Sequence, residues 1–311
     1  MCADNSICLI MLWGIILRIA ISRFSEKEQT HTVTTQAQVI LAVLAHPDDE
    51  SFGMGGTLAL YARRGVAVHL VCATRGEVGE APAELLQRYH SMAELREAEL
   101  ACAARQLGLA GVHFLGYRDS GMPGSPDNHH PNALAAQSLE RVAAQVAHHI
   151  RALRPQVVLT FDPIGGYRHP DHIAIHRATV EAFHLAGDPS HNDGLPPYQP
   201  QKLYFHTMPR GFMRFTVRVM SLLGRDPHRL GRNHDIDFAA LLAEGDFPTH
   251  ARISYRRVAA RKEAAARCHA GSGSCRAAST NSNARGDFIS TNPRSPNARV
   301  RGGRFGAARE R

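Results

Sequence analysis

The chain has no Cys-x-x-Cys pair, no Gly-x-Gly-x-x-Gly turn, no internal repeat and no basic face interleaved with aromatic residues. Each absence narrows the function. Six cysteines at positions 2, 8, 72, 102, 268 and 275, without metal-binding or framework spacing, predict reduced core thiols and a cytoplasmic setting. The glycines after the first apolar run, Gly53, Gly55 and Gly56, lack dinucleotide spacing. Asp48, Asp49 and Glu50 would repel a pyrophosphate there, which disfavours a nicotinamide oxidoreductase. The net charge of +8 raises a nucleic-acid reading, but eight arginines against Asp287 and Glu310 put about +6 of it beyond residue 270. The body is near neutral, and no specific nucleic-acid partner is expected.

A membrane-spanning run is also missing. Residues 7–21 are apolar, yet short for a span and interrupted by Arg18. No basic segment precedes them and no small-residue cleavage site follows, as a secretory signal would require. Residues 1–38 therefore read as a leader outside the fold: sequence upstream of the true start, a poor signal, or an uncleaved anchor making weak membrane-surface contact through 7–21.

What is present is an alternation of strand and helix. Continuous apolar runs predict buried strands at 39–45, 66–73, 112–115, 157–161 and 202–207. Helical spacing predicts helices at 55–64, 83–107, 134–153 and 173–185. The loop 116–132 is too long for a mere connector. Residues 209–248 read as an insertion or lid followed by a turn, and 251–269 as a short strand and a last helix over 258–268. From 271 the chain turns to Gly, Ser, Asn and Arg and reads as a disordered basic tail. The expected fold is α/β, a Rossmann-like, doubly wound, mainly parallel sheet with helices on both faces, formed by residues 39–270. A 3-2-1-4-5 strand order would make the first and fourth strands neighbours and bring their carboxyl ends together.

Those two ends carry the chemistry. The first strand stops at His46-Pro47-Asp48-Asp49-Glu50, one imidazole and three carboxylates in five residues. Such crowding resists joint ionisation unless a cation sits among the charges, although an acidic capping turn would give the same letters. The fourth strand feeds FDPIGGYRHPDH, with His169 and His172 on one face of a helix start. Alone, that pair would read as solvated histidines; facing the first motif, it reads as a metal site. A catalytic divalent ion wants three protein ligands and one open position, for which His46, Asp49 and His172 are the sensible three. Asp48 is left as general base. His169, positively charged, would stabilise the developing oxyanion or protonate the leaving amine, and Asp171 would orient an imidazole from behind.

At these residues the chain resembles the LmbE-like, PIG-L-type de-N-acetylases. The likeness continues through TRGEVGE (residues 74–80), LREAEL (95–100), YRDSGM (117–122) and GGYRHPDH (165–172), and covers roughly residues 39–269. It implies a zinc-dependent hydrolase removing acetyl from an N-acetylglucosamine unit on a larger aglycone, a small-molecule sugar conjugate. It implies the same ligand set, with Fe²⁺ able to replace Zn²⁺ in such an N/O site, Asp48 as base and His169 on the oxyanion side. It also implies substrate contacts from Arg96, Asp119 and Tyr167. Each of these three has a plainer alternative: a surface ion pair in a Glu-rich helix, a turn cap, a packed aromatic. The tail beyond 271 departs from the family pattern and would fit a frameshift or a replaced terminus. Two rival functions follow: an amidase of the same family acting on another amide such as a thiol conjugate, and a metal-binding product whose pocket its altered terminus leaves inactive.

Overall fold

The molecule is described by a computed structural model over residues 38–207, 210–224, 226, 237, 241–242, 247–271 and 286–291. The leader expected at 1–38 lies outside this set but for Gln38. So do Cys2, Cys8 and Cys275, most of 225–246 and the larger part of the basic tail.

The fold is built around a seven-stranded sheet in the order β3-β2-β1-β4-β5-β7-β6. Its strands are β1 (Val39–Leu44), β2 (Ala67–Thr74), β3 (Gly111–Tyr117), β4 (Val157–Phe161), β5 (Lys202–His206), β6 (Ala251–Ser254) and β7 (Gly286–Thr291). The first five run parallel in the expected 3-2-1-4-5 order, while β7 is antiparallel to both β5 and β6. β4 is buried along its whole length and β1 from Ile40 onward, as central strands covered on both faces must be. Ile40 to Ala42 pair with Val157 to Leu159, so the loops after β1 and β4 leave the sheet side by side.

The helical segments that matter for placing the site are α1 (Asp49–Phe52), α2 (Gly55–Arg63), α3 (Ala83–Leu86), α4 (Met92–Leu107), α5 (Leu139–Leu153), α6 (Pro170–Leu185), α7 (Arg210–Leu222), α8 (Ala259–Cys268) and the short turn Gly165–Arg168. α5 packs on α6, whereas α8 packs on α4 and α2. The helix expected over 83–107 is two helices. The first ends at Leu86, and Ser91 caps the second: its hydroxyl accepts from the Glu94 amide while the Glu94 carboxylate accepts from the His90 amide. Likewise the helix expected at 134–153 begins with a 3₁₀ turn, Leu134–Ala136, and Ser138 caps α5. Within the presumed lid, α7 is helical.

Two expectations are corrected. Residues 286–291, assigned to a disordered tail, form β7, and the buried Asp287 carboxylate accepts from the Thr57 amide, the Thr57 hydroxyl and Lys262. Phe288 and Ile289 were hidden in a polar background, and what orders them is pairing with β5 and β6 rather than local composition. Cys102 and Cys268, expected to be reduced, form a disulfide between α4 and α8, two helices whose packing no sequence spacing could reveal. Cys72 is a free, buried thiol in β2, as expected.

Candidate metal centre

β1 ends with His46 buried over the carboxyl edge of the sheet, and α6 begins with His169, Asp171 and His172, all buried. The two motifs meet. His46 Nδ1 lies 3.3 Å from His172 Nε2 and 3.6 Å from Asp49 Oδ2, and His172 Nε2 lies 3.4 Å from Asp49 Oδ1. Donor atoms set about 2.0–2.1 Å from a tetrahedral zinc are roughly 3.3–3.4 Å from one another. The His46–His172 separation fits such an ion, while Asp49 meets the two imidazoles through different carboxylate oxygens.

Proton placement supports the same set. His172 Nδ1 lies 3.1 Å from the Gly165 carbonyl, so it carries the hydrogen and Nε2 keeps a lone pair. His46 Nε2 lies 3.1 Å from Asp171 Oδ2, which places a hydrogen on that side; burial disfavours a second proton, but Asp119, Asp171 and Asp49 outweigh it and hold the His46 pKa well above 6.5, so a cation would take the place of the proton on Nδ1. The His172 lone pair, the Asp49 carboxylate and His46 Nδ1 then converge. The donor groupings that converge through one atom per residue among the described residues are His46 with His169 and His172, and His46 with Asp119 and Asp171; Asp49 belongs to neither. Both fit less well. His169 Nδ1 already accepts from the Asp171 amide, and Asp171 is saturated by the Ser120 amide, the Ser120 hydroxyl and His46.

Close approach at this centre depends on glycine. Gly165 has φ +67°, and a Cβ there would come within 2.8 Å of the His172 Cβ. Asp162 closes the same turn by accepting from the Gly166 amide, and burial pushes its carboxyl up to about 6.

Asp48 stands beside the donors in the left-handed region, φ +116°, a costly conformation for a non-glycine residue. Burial raises its carboxyl to about 6 against the pull of Arg96, whose guanidinium Nη2 lies 3.1 Å from Asp48 Oδ2. Arg96 is therefore not a surface ion pair. It is buried, donates to the Pro47 carbonyl, and is cradled by Gly76 and Gly79 of the TRGEVGE loop. The exposed pairing in α4 belongs to Glu97, with Arg75.

His169 departs from its expected charge. Burial and the neighbouring His46 and His172 push its pKa far down, so the ring is neutral. Because Nδ1 accepts from the Asp171 amide, the hydrogen sits on Nε2. Asp119 takes the plainer role weighed for it, its Oδ1 accepting from the Gly121 amide as a turn cap, and it also lies 3.5 Å from His46 Nε2. Tyr167 stands edge-on to His172, centroids 5.0 Å apart, with burial raising its phenol well above the usual range. It lines a cavity of about 210 Å³ beside Asp49 and His172, walled by Leu44, Phe52, Met54 and Phe161.

Sequence reasoning passed over Ser120, Asp162, Glu50 and His269. Ser120 lay inside the quoted YRDSGM motif and Glu50 inside HPDDE. His269 gave no local signal, being a lone histidine at a helix end.

Comparison with known proteins bears on this centre. The PIG-L family, described as GlcNAc-PI de-N-acetylase, matches residues 41–183, which contain both motifs. The 1D-myo-inositol 2-acetamido-2-deoxy-alpha-D-glucopyranoside deacetylase of Kineococcus radiotolerans is 45% identical over 208 residues, covering 61% of this chain and 58% of that protein. Its namesake in Thermomonospora curvata is 42% identical, covering 64% and 68%. The one in Geodermatophilus obscurus is 38% identical over 248 residues, covering 76% and 83%. The chain thus spans from about three fifths to about five sixths of the length of these relatives. A conserved protein of Thermus thermophilus shares the fold with a TM-score of 0.52 at 24% identity, covering 81% of this chain and 93% of its own. The 4-carboxy-2-hydroxymuconate hydratase of Pseudomonas putida does so at 0.54 and 19%, covering 83% and 98%. Proteins with such different names on one fold mean that the site, not the fold, must carry the argument for function.

Proposed function

The chain belongs to the GlcNAc-PI de-N-acetylase (PIG-L) family, and from that premise we propose that it is a zinc-dependent hydrolase removing acetyl from an N-acetylglucosamine conjugate. The relatives' names make an inositol aglycone the first choice. The observation that carries the reading is the approach of His46 Nδ1, Asp49 and His172 Nε2 to within 3.3–3.6 Å, with Asp48 preceding Asp49 in the chain and its carboxylate paired with Arg96. We assign those three as metal ligands. Fe²⁺ suits the same N/O donors.

A bound divalent ion would supply Lewis acidity toward the amide carbonyl and toward a water. The chain's own residues do the rest. Asp48 takes the water's proton, and Arg96 holds its carboxylate in place. The Nε2–H of neutral His169 donates a hydrogen bond to the carbonyl oxygen as negative charge develops, and Asp48 passes the proton it took from the water to the departing amine. Asp171 fixes the His46 tautomer from behind. Tyr167 lines the cavity beside Asp49 and His172, and we assign it, with Arg96 and Asp119, to substrate contact. The cytoplasm is the proposed compartment, on the ground that the substrate class is a soluble conjugate; the Cys102–Cys268 bond withdraws the cysteine argument for it, and no helix among the described residues is long and apolar enough to cross a membrane.

The test is release of free amine from N-acetylglucosamine joined to inositol, malate, a phosphatidylinositol head group or short chitin oligomers, with Zn²⁺ and with chelator. Zinc-dependent release from the inositol conjugate is expected. Silence across the set with metal bound would overturn the assignment.

A further inference from the structure

We infer that His269, at the end of α8, is a positioning residue for Asp48 and acts through Glu50; the inference rests on the role just proposed for Asp48. Glu50 is fully buried. One of its oxygens, Oε2, accepts from the Asp48 amide at 2.9 Å. The other accepts from the Ser51 hydroxyl at 2.6 Å and faces His269 Nε2 at 2.7 Å. His269 is itself fully buried, 219 residues away in sequence from the carboxylate it meets.

With φ at +116°, Asp48 sits where a residue with a Cβ stays only if its surroundings hold it. Its amide hydrogen bond to Glu50 is such a hold, so the location of the Glu50 carboxylate sets where the Asp48 side chain points. Glu50 in turn shares its neighbourhood with Asp48 and Asp49, and Arg96 is already committed to Asp48 and the Pro47 carbonyl. A buried carboxylate so placed needs a positive or hydrogen-donating partner of its own. His269 is that partner. It is firmly seated: Cys268 beside it is bonded to Cys102, the Phe52 ring lies 6.1 Å away, and the Gly271 amide donates to Glu99 at 2.6 Å. The carboxylates it faces, Glu50 and Glu99, are not among the three proposed metal ligands, so its loss separates base geometry from metal binding.

The test compares His269→Ala, His269→Gln, Glu50→Gln and the double variant Glu50→Gln with His269→Ala in the full chain. Bound zinc, kcat, KM and, in ¹⁵N-labelled metal-free protein, the Asp48 amide resonance are measured. His269→Ala is expected to keep one zinc per chain and a KM within about twofold, while kcat falls about 10- to 100-fold, the scale of a small misplacement of a catalytic group. His269→Gln, which keeps a side-chain N–H for Glu50, should recover most of that rate. The double variant should lose no more than the worse single one, since groups acting as a unit are not additive. The Asp48 amide should shift in His269→Ala and Glu50→Gln and stay near its wild-type place in His269→Gln. Unchanged kcat, an unmoved Asp48 amide or additive losses would each overturn the inference. Should His269→Ala fail to fold, Glu50→Gln carries the same expectation from the other side of the pair. If the wild type hydrolyses nothing, the amide shift still reads the coupling, so the two failures are distinct.

Discussion

Asp48 and His172 share one centre but differ in role, and single substitutions tell them apart. Asp48→Asn removes the base while leaving the donor set intact; metal analysis should show full zinc with turnover down about 10²- to 10⁴-fold, the usual worth of general acid–base catalysis. His172→Ala removes a donor, so equilibrium dialysis should show zinc lost together with rate. His269 adds a pH dependence of stability. Burial alone would lower its pKa, but Glu50 outweighs that and lifts it from 6.5 to about 9. A raised folded-state pKa contributes stability that is fully present below 6.5 and lost as pH climbs through 9. The wild type's advantage over His269→Gln in urea unfolding should therefore shrink between those limits. At this scale the sequence was most informative where residues cluster: His46 to Glu50 and His169 to His172 announced themselves by crowding charge and imidazole. His269 could not, because its partner is far away in the chain. The charge expected on His169 was mistaken for a related reason, since only the assembled site shows His46 and His172 against it and the Asp171 amide on its Nδ1.

Helices and strands were legible in order and type, less so in where they break. The apolar periodicity over 83–107 runs through the break at residues 87–91, where Ser91 caps the second helix through the Glu94 amide, a local signal that the longer pattern hides. Ser91→Ala should cost about 1 kcal/mol in denaturant unfolding, with kcat unmoved because the Ser91 hydroxyl serves the Glu94 amide, away from the metal centre. β7 failed to show for the opposite reason. Six residues with two large apolar side chains carry too little pattern to stand out from glycine, serine and asparagine, and what makes them a strand is the paired edge they enter. β4, by contrast, was read residue for residue, because a strand buried on both faces leaves no polar position to blur it.

Across the whole molecule the parallel core followed from the strand–helix alternation, while the contacts that close its far side did not. The Cys102–Cys268 bond joins positions 166 residues apart. Closing a loop of that length restricts the unfolded chain by at most about 5 kcal/mol in the chain-entropy account. Reduction with dithiothreitol, or Cys268→Ser, should accordingly lower Tm measurably; an unchanged Tm would show that the packing of α8 on α4 suffices without the bond. The sheet order carries a consequence for handling the protein. β6 reaches the sheet only through β7, so a chain cut before residue 286 forfeits two strands at once. β5 would then offer a bare row of amides and carbonyls to any other copy in solution, and Lys262 and Thr57 would lose the carboxylate they share. Shortening the unpromising-looking end of this protein would turn a covered sheet edge into a sticky one.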